Sequence, residues 1–183
     1  QLAEADGLEA RVTVTDAATG AVVLDGSIGL TVTPPQLPPD FTVLPLPAEP
    51  TALAPGMVPV GRRLGTATTL FTPELVKQSL RDFHETAAVY AAKNLVHSGM
   101  LVRRTMSDTL SNFTLPMPVI FAGLSVQMLA LAPIGQSYTT AGRVVRAWER
   151  KGKHYFDSEE WLLAGEIPVA RHIRTNLYAV DLC

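Results

Sequence analysis

Apolar and polar positions alternate along residues 8 to 33, "LEARVTVTDAATGAVVLDGSIGLTVT", on both sides of "DAATG". Val12 and Val14, then Val23, Ile28, Leu30 and Val32, predict a strand, a turn and a second strand. Gly20 supplies the turn, and Gly26 and Gly29 suggest a bulge or a close backbone approach. A two-stranded hairpin is marginal in water by itself, so this one is expected to lie against a larger sheet. From Val60 the pattern becomes more regular. "VGRRLGTATTLF" (60–71) reads as a strand. Thr72-Pro73-Glu74 then offers an N-cap, a proline at the first helical position and an acid in the first turn. Leu75, Val76, Leu80 and Phe83 follow at helical spacing, so a helix is predicted to about His84. A second helix is predicted from Ser98 to about Asn112, with Met106, Leu110 and Phe113 continuing its apolar face. After Pro116, "VIFAGLSVQMLAL", "SYTTAGRVVRAWERKG", "KHYFDSEEWLLAG" and "EIPVARHIRTNLYAV" predict four successive antiparallel strands.

Residues 34 to 59 hold nine of the fourteen prolines, which predicts an extended connector that takes no part in a sheet. The chain therefore divides into a hairpin (1–34), a proline-rich linker (35–57) and a main domain (58–183). Strand, helix, longer helix and four strands make an α+β plan, an antiparallel sheet wrapped around one long helix. Neither GxGxxG nor GxxxxGK[ST] occurs, which argues against a Rossmann or P-loop reading.

Composition narrows the function classes. With 183 residues, 47% hydrophobic and 17% charged, the chain describes a folded soluble protein. No apolar run reaches the roughly 20 residues of a membrane helix, so no membrane insertion is expected. A net charge of −2 argues against a nucleic-acid partner. The single cysteine, Cys183, allows no internal disulfide and no cysteine metal cluster, so a reducing, cytoplasmic setting is expected. His154 and His172 have no metal-ligand spacing around them and read as strand-surface residues. Neither a metal nor a cofactor is expected. Trp148 and Trp161 read as core or interface residues. Because the sequence opens on Gln1, it is expected to be processed, truncated or partly represented.

The first hairpin echoes the last. With Gly20 set against Gly165, Leu24 falls on Val169, Ile28 on Ile173 and Val32 on Leu177. Either any two hairpins overlay this way, or residues 8 to 33 are the closing strands of a preceding copy of the same fold.

Residues 58 to 183 resemble the MaoC-like acyl dehydratase branch of the hot-dog superfamily. The resemblance rests on "VGRRL" before "FTPELVKQSLRDF", on "LVHSGML" opening the long helix, and on "PIGQSYTTAGRVVRAWERKGKHYF" and "GEIPVARHIRTNLYAV" in the late strands. It implies a hot-dog fold, a homo- or heterodimer or a tandem double hot dog, and an acyl-CoA or acyl-carrier thioester as substrate. The acyl chain would thread between helix and sheet, the carrier arm would lie at the subunit interface, and water would add reversibly across an enoyl thioester.

That hydration needs a base for water, an acid for the α-carbon and a donor to the thioester carbonyl. The family supplies base and acid in Asp-x-Asn-x-x-His. In "RDFHETAAVYAAKN" Asp82 matches the aspartate, but His84 stands at the asparagine position and Ala87 at the histidine position. Asp82 and His84, with Glu85 adjacent, are the catalytic candidates. On a continuous helix they would point about 200° apart, so the pair needs a helix end or break. The other reading makes them surface polar residues. His97, Ser98 and Gly99 are substrate-binding candidates: free amides at a helix start would hold the thioester oxygen, and Gly99 would let the backbone come close. Alternatively Ser98 is an N-cap and His97 its neighbour. Arg143, Arg146, Arg150, Lys151 and Lys153 would meet carrier phosphates or form a solvated face; Arg143 is the chosen candidate. Three functions follow: a hydratase/dehydratase with a degenerate motif; a non-catalytic acyl-binding subunit of a heteromeric dehydratase; or an acyl thioesterase using Glu85 or Asp82. No Gly-x-Ser-x-Gly occurs.

Overall fold

A computed structural model describes residues 9–29 and 36–181, in two compact units that divide between Gln36 and Leu37. In the first unit, β1 (Glu9–Thr15) and β2 (Val22–Gly29) pair antiparallel. Their turn is built by local chemistry. Asp16 Oδ1 accepts from the Ala18 and Thr19 amides at 2.9 and 2.8 Å, and Gly20 takes φ +69°. The register shift falls at Val14/Thr15, not at Gly26 or Gly29 as expected. Val14, Val22 and Val23 are exposed.

The second unit begins with the proline-rich segment, which is packed against the domain. Phe41 and Leu53 are buried, and Thr51–Ala52 form β3, paired in parallel with a later strand. The expectation that this segment stays out of any sheet is thus corrected. The predicted strand over 60–71 is broken into β4 (Arg63–Leu64) and β5 (Thr69–Leu70). Between them the chain turns inward: the Gly65 amide donates to Asn112 Oδ1 at 2.7 Å and Thr66 Oγ1 to Asp108 Oδ2 at 2.6 Å. Helix α1 (Pro73–Asp82) follows as predicted, with Thr72 Oγ1 capping the Leu75 amide at 3.2 Å. A short helix that the pattern missed, α2 (Ala88–Lys93), precedes the long α3 (Ser98–Ser111). After β6 (Phe113–Thr114), the partner of β3, come β7 (Ile120–Met128), β8 (Ser137–Arg150), β9 (Lys153–Ala164) and β10 (Ile167–Val180).

The large sheet has the order β4-β8-β9-β10-β7, with β5 also paired to β8. Its strands pair antiparallel. The chain must cross from the β5 edge to the β7 edge, and α3 is the element that crosses, lying against β8, β9 and β10. This is the hot-dog plan.

The buried face of α3 corrects the sequence expectation. Met106 and Leu110 are only half-buried, and the inward residues are Met100, Leu101, Arg104, Thr105, Asp108 and Thr109. Beyond Leu101 the helix buries polar side chains, because each finds a partner. Arg104 and Asp108 pair at 2.7 Å, and Arg104 Nε donates to Thr69 Oγ1 at 2.5 Å. Asn112 at the C-cap receives the Gly65 amide and donates to the Gly65 carbonyl at 2.8 Å. Thr105 bonds His172 Nδ1 at 2.8 Å, and Thr109 donates to Glu160. His172, expected on a strand surface, is wholly buried, and burial with Arg174 beside it holds its pKa down to about 4.

The interface between α3 and the sheet is therefore layered. An apolar cluster of Phe71, Val76, Met100, Leu101, Tyr138 and Leu162 lies at the start of α3. A second cluster, with Phe113, Val144, Phe156 and Tyr178, lies at its end. Between them stands an Arg174–Glu160 ion pair at 3.0 Å, with Arg174 also donating to the Val102 carbonyl and Thr105.

Candidate functional site

Helix α3 starts abruptly. His97 is extended (φ −77°, ψ 153°) and is itself the N-cap, with no side-chain cap bond; Ser98 is the first helical residue and exposed. The alternative in which Ser98 caps the helix is thereby corrected. The first amides of an α-helix have no carbonyl partner within it, so this terminus can donate to an oxygen.

His97 is buried, 3% exposed, and its Nε2 lies 2.8 Å from Ser79 Oγ of α1. The imidazole is walled by the Phe83 and Tyr90 rings at 4.8 and 5.9 Å. Burial pushes its pKa below the ordinary imidazole range, against a smaller lift from the Glu85 carboxylate. His97 is thus a neutral ring. Gly99 serves this packing: a Cβ there would stand 3.1 Å from a Phe83 ring carbon and 3.3 Å from the His97 ring.

Asp82 and His84 meet the condition of a helix end. Asp82 is the last residue of α1, Phe83 is its C-cap and His84 takes φ +51°. Both side chains are exposed, and Asp82 accepts from Gln78 Nε2 at 2.6 Å. His84 and Glu85 line an open concavity of about 590 Å³ with Lys77, Leu80, Arg81 and Thr86. Two cations therefore rim the surface beside the end of α1.

Arg143 lies elsewhere. On β8, Ala141 packs with Phe41, Trp161 and Leu163, while Val144 packs with Leu64, Phe113 and Phe156. Arg143 belongs to the outer face: its guanidinium sits 4.5 Å over the Phe41 ring and pairs with Asp40 at 2.5 Å and Glu159 at 3.5 Å. The start of α3 is on the other side of the sheet. Arg150, Lys151 and Lys153 form the β8–β9 turn, next to Phe156 and the cluster at the end of α3. The structure thus brings His97 and Gly99 together with Ser98 at one locus, and places Arg143 apart from it.

Sequence reasoning missed Ser79. A signal was present: Ser79 stands three residues after the buried Val76, a polar side chain on the apolar face of α1. Its partner, eighteen positions away, is visible only in the fold.

No protein-family model matches the sequence, and no curated protein matches it. Solved structures do. A MaoC-like dehydratase from Rhodospirillum rubrum superposes on 68% of this chain and 96% of its own, with TM-score 0.57 and 16% identity. A monoamine oxidase regulatory protein from Archaeoglobus fulgidus covers 73% of this chain and 99% of its own, with TM-score 0.63 and 12% identity. A 3R-hydroxyacyl-ACP dehydratase complex, HadBC of Mycobacterium tuberculosis, covers 64% and 96%, with TM-score 0.56 and 10% identity. At these identities the likeness is one of fold: the chain has the hot-dog fold found in MaoC-like dehydratases. No helix among the described residues is long and apolar enough to cross a membrane.

Proposed function

We propose that this chain binds an acyl thioester with the carbonyl oxygen on the first amides of α3, and that it works as one half of a two-hot-dog assembly. The uncapped start of α3 at His97-Ser98-Gly99 carries the reading, since helix N-termini favour an oxygen bearing partial or developing negative charge. Lys77 and Arg81, at the rim of the neighbouring concavity, suit the phosphates of a coenzyme A or carrier arm. A cytoplasmic setting with a thioester pool accords with the lone cysteine.

Hydration of an enoyl thioester would need Asp82 and His84 to converge on the substrate. Both are exposed, and Asp82 is engaged by Gln78. That favours a chain which does not hydrate on its own, its partner supplying the acid and base.

A partner is favoured by β7. Among the described residues this edge strand pairs only on the β10 side, and its side chains are exposed or half-buried. Leu124 and Val126 stand opposite Arg174 and His172, so they share the helix-side face of the sheet, yet remain 49% and 40% exposed. An apolar edge of this kind is a template for another strand. A homodimer and a heterodimer would both use it.

Calorimetry with S-butyl-CoA, a non-hydrolysable thioether, tests the seat. Binding is expected, and is expected to weaken when His97→Ala disturbs the start of α3; no binding at millimolar ligand overturns the reading. Crotonyl-CoA should give no 3-hydroxybutyryl product by mass spectrometry with this chain alone. Turnover abolished by His84→Ala would restore the hydratase reading.

A further inference from the structure

We propose that Ser79 and His97 form a nucleophile–base pair that cleaves the bound thioester, so that the chain's own chemistry is hydrolysis. This cleavage presupposes the thioester seat at the start of α3.

Ser79 Oγ stands 2.8 Å from His97 Nε2, within reach for proton transfer from a hydroxyl to an imidazole. A serine inside a helix commonly turns its hydroxyl back on a carbonyl one turn earlier. Thr109 and Ser111 do so in α3, bonding the Thr105 and Ser107 carbonyls. Ser79 turns to His97 instead, and among the described residues each of these side chains has its hydrogen bond with the other. Burial favours the neutral imidazole, and in the tautomer with its proton on Nδ1 the ring accepts the Ser79 proton at Nε2. Glu85, half-buried, is the carboxylate whose field favours the imidazolium that forms once the proton has moved. Phe83 and Tyr90 hold the ring in place. The first amides of α3 follow directly from His97, so base and oxyanion donors come from adjacent residues.

The steps balance without a further reagent except water. Ser79 Oγ bonds to the thioester carbon as its proton passes to Nε2, and the carbonyl oxygen becomes an oxyanion held by the α3 amides. The C–S bond breaks, and the leaving sulfur takes the proton from His97 and departs as the free thiol. Water then gives a proton to His97 and attacks the Ser79 ester. The C–O bond to Ser79 breaks, the carboxylic acid leaves, and Ser79 regains its proton. The absence of Gly-x-Ser-x-Gly does not bear on this pair, which comes from α1 and from the N-cap of α3 and not from a nucleophile on a strand-to-helix turn.

The test uses the whole chain with butyryl-CoA and octanoyl-CoA, free thiol being read with a chromogenic disulfide. Alongside it, a fluorophosphonate probe is mapped by peptide mass spectrometry, and S-butyl-CoA binding is measured by calorimetry. Thiol release is expected, with the fluorophosphonate on Ser79. Ser79→Ala and His97→Gln should each lower release at least about a hundredfold, and His97→Gln should also abolish labelling. Where a variant does not fold, labelling of the unmodified protein decides. S-butyl-CoA binding without thiol release and without label leaves the seat standing and sinks the hydrolysis. Release that persists in both variants also sinks it. Absence of S-butyl-CoA binding removes the seat itself.

Discussion

Replacing Arg174 by methionine would leave Glu160 charged and unpaired between α3 and the sheet. Arg174 and Glu160 are 2% and 1% exposed. Besides Glu160, the guanidinium serves the Val102 carbonyl at 3.1 Å and Thr105 Oγ1 at 3.0 Å. Methionine keeps much of the volume and supplies no donor. Glu160 would still accept from Ser158 at 2.7 Å and from Thr109, which is not enough for a buried carboxylate. Removing one member of a buried pair costs about 3–5 kcal/mol, and that is the expected loss at pH 7. Burial already raises the Glu160 pKa while Arg174 opposes the rise, so the variant raises it further. A carboxyl raised above its unfolded value destabilises most above the folded pKa and least below the unfolded one. The deficit against the parent protein should therefore shrink as pH falls from 7 toward 5. His172 works in the same direction, because Arg174 is one of the causes of its lowered pKa. Urea unfolding followed by fluorescence of the buried Trp161 reads the effect at both pH values. The double variant Arg174→Met/Glu160→Leu should recover most of the loss, since apolar replacement of a whole buried pair is often neutral. A single-variant loss under about 1 kcal/mol, or a deficit that grows toward pH 5, would refute this account of the polar layer.

Three further outcomes are expected. His172 should take stability from the parent protein as pH falls from 6.5 toward about 4, because it is held neutral when folded and protonates when unfolded; the gap converts to about 3 kcal/mol, opposed by the relief that buried Glu160 gives as it protonates. His172→Gln should flatten that slope in urea titrations, and an unchanged slope contradicts the assignment. Gly65→Ala should cost about 1–3 kcal/mol by thermal melt, because a Cβ there would meet the Pro45 carbonyl oxygen at 2.1 Å. Val126→Lys on the exposed β7 edge should dissociate the assembly in native mass spectrometry without lowering the protomer's own stability; intact assembly would place the interface elsewhere.

Much of the fold was legible because its signals are local. Thr72-Pro73 starts α1 within one turn, and Gly20 and Gly165, both at positive φ, mark the hairpin turns. The four late strands carry their own apolar spacing and their own turns. The facing of α3 was not legible. Met106 and Leu110 look like a core stripe, and Arg104, Asp108 and Asn112 look like a solvent face. The reverse orientation wins because Gly65, Thr66 and Thr69, far back in the chain, supply partners for all three. The site divides in the same way. His97 and Gly99 could be singled out by their place at a helix start, whereas Ser79 acquires meaning only from the ring opposite it.

The sequence by itself determined where the four late strands turn, where α1 and α3 begin, and that one long helix must serve one antiparallel sheet. Caps and turns are satisfied by neighbours a few residues away, so they need no fold to be read. The tertiary structure decided which face of α3 is buried, that the proline-rich segment lies against the domain, and which polar groups meet. A buried polar side chain is stable only with its partner in place. That partner is a property of the packed chain, as the Ser79–His97 and Arg174–Glu160 contacts show.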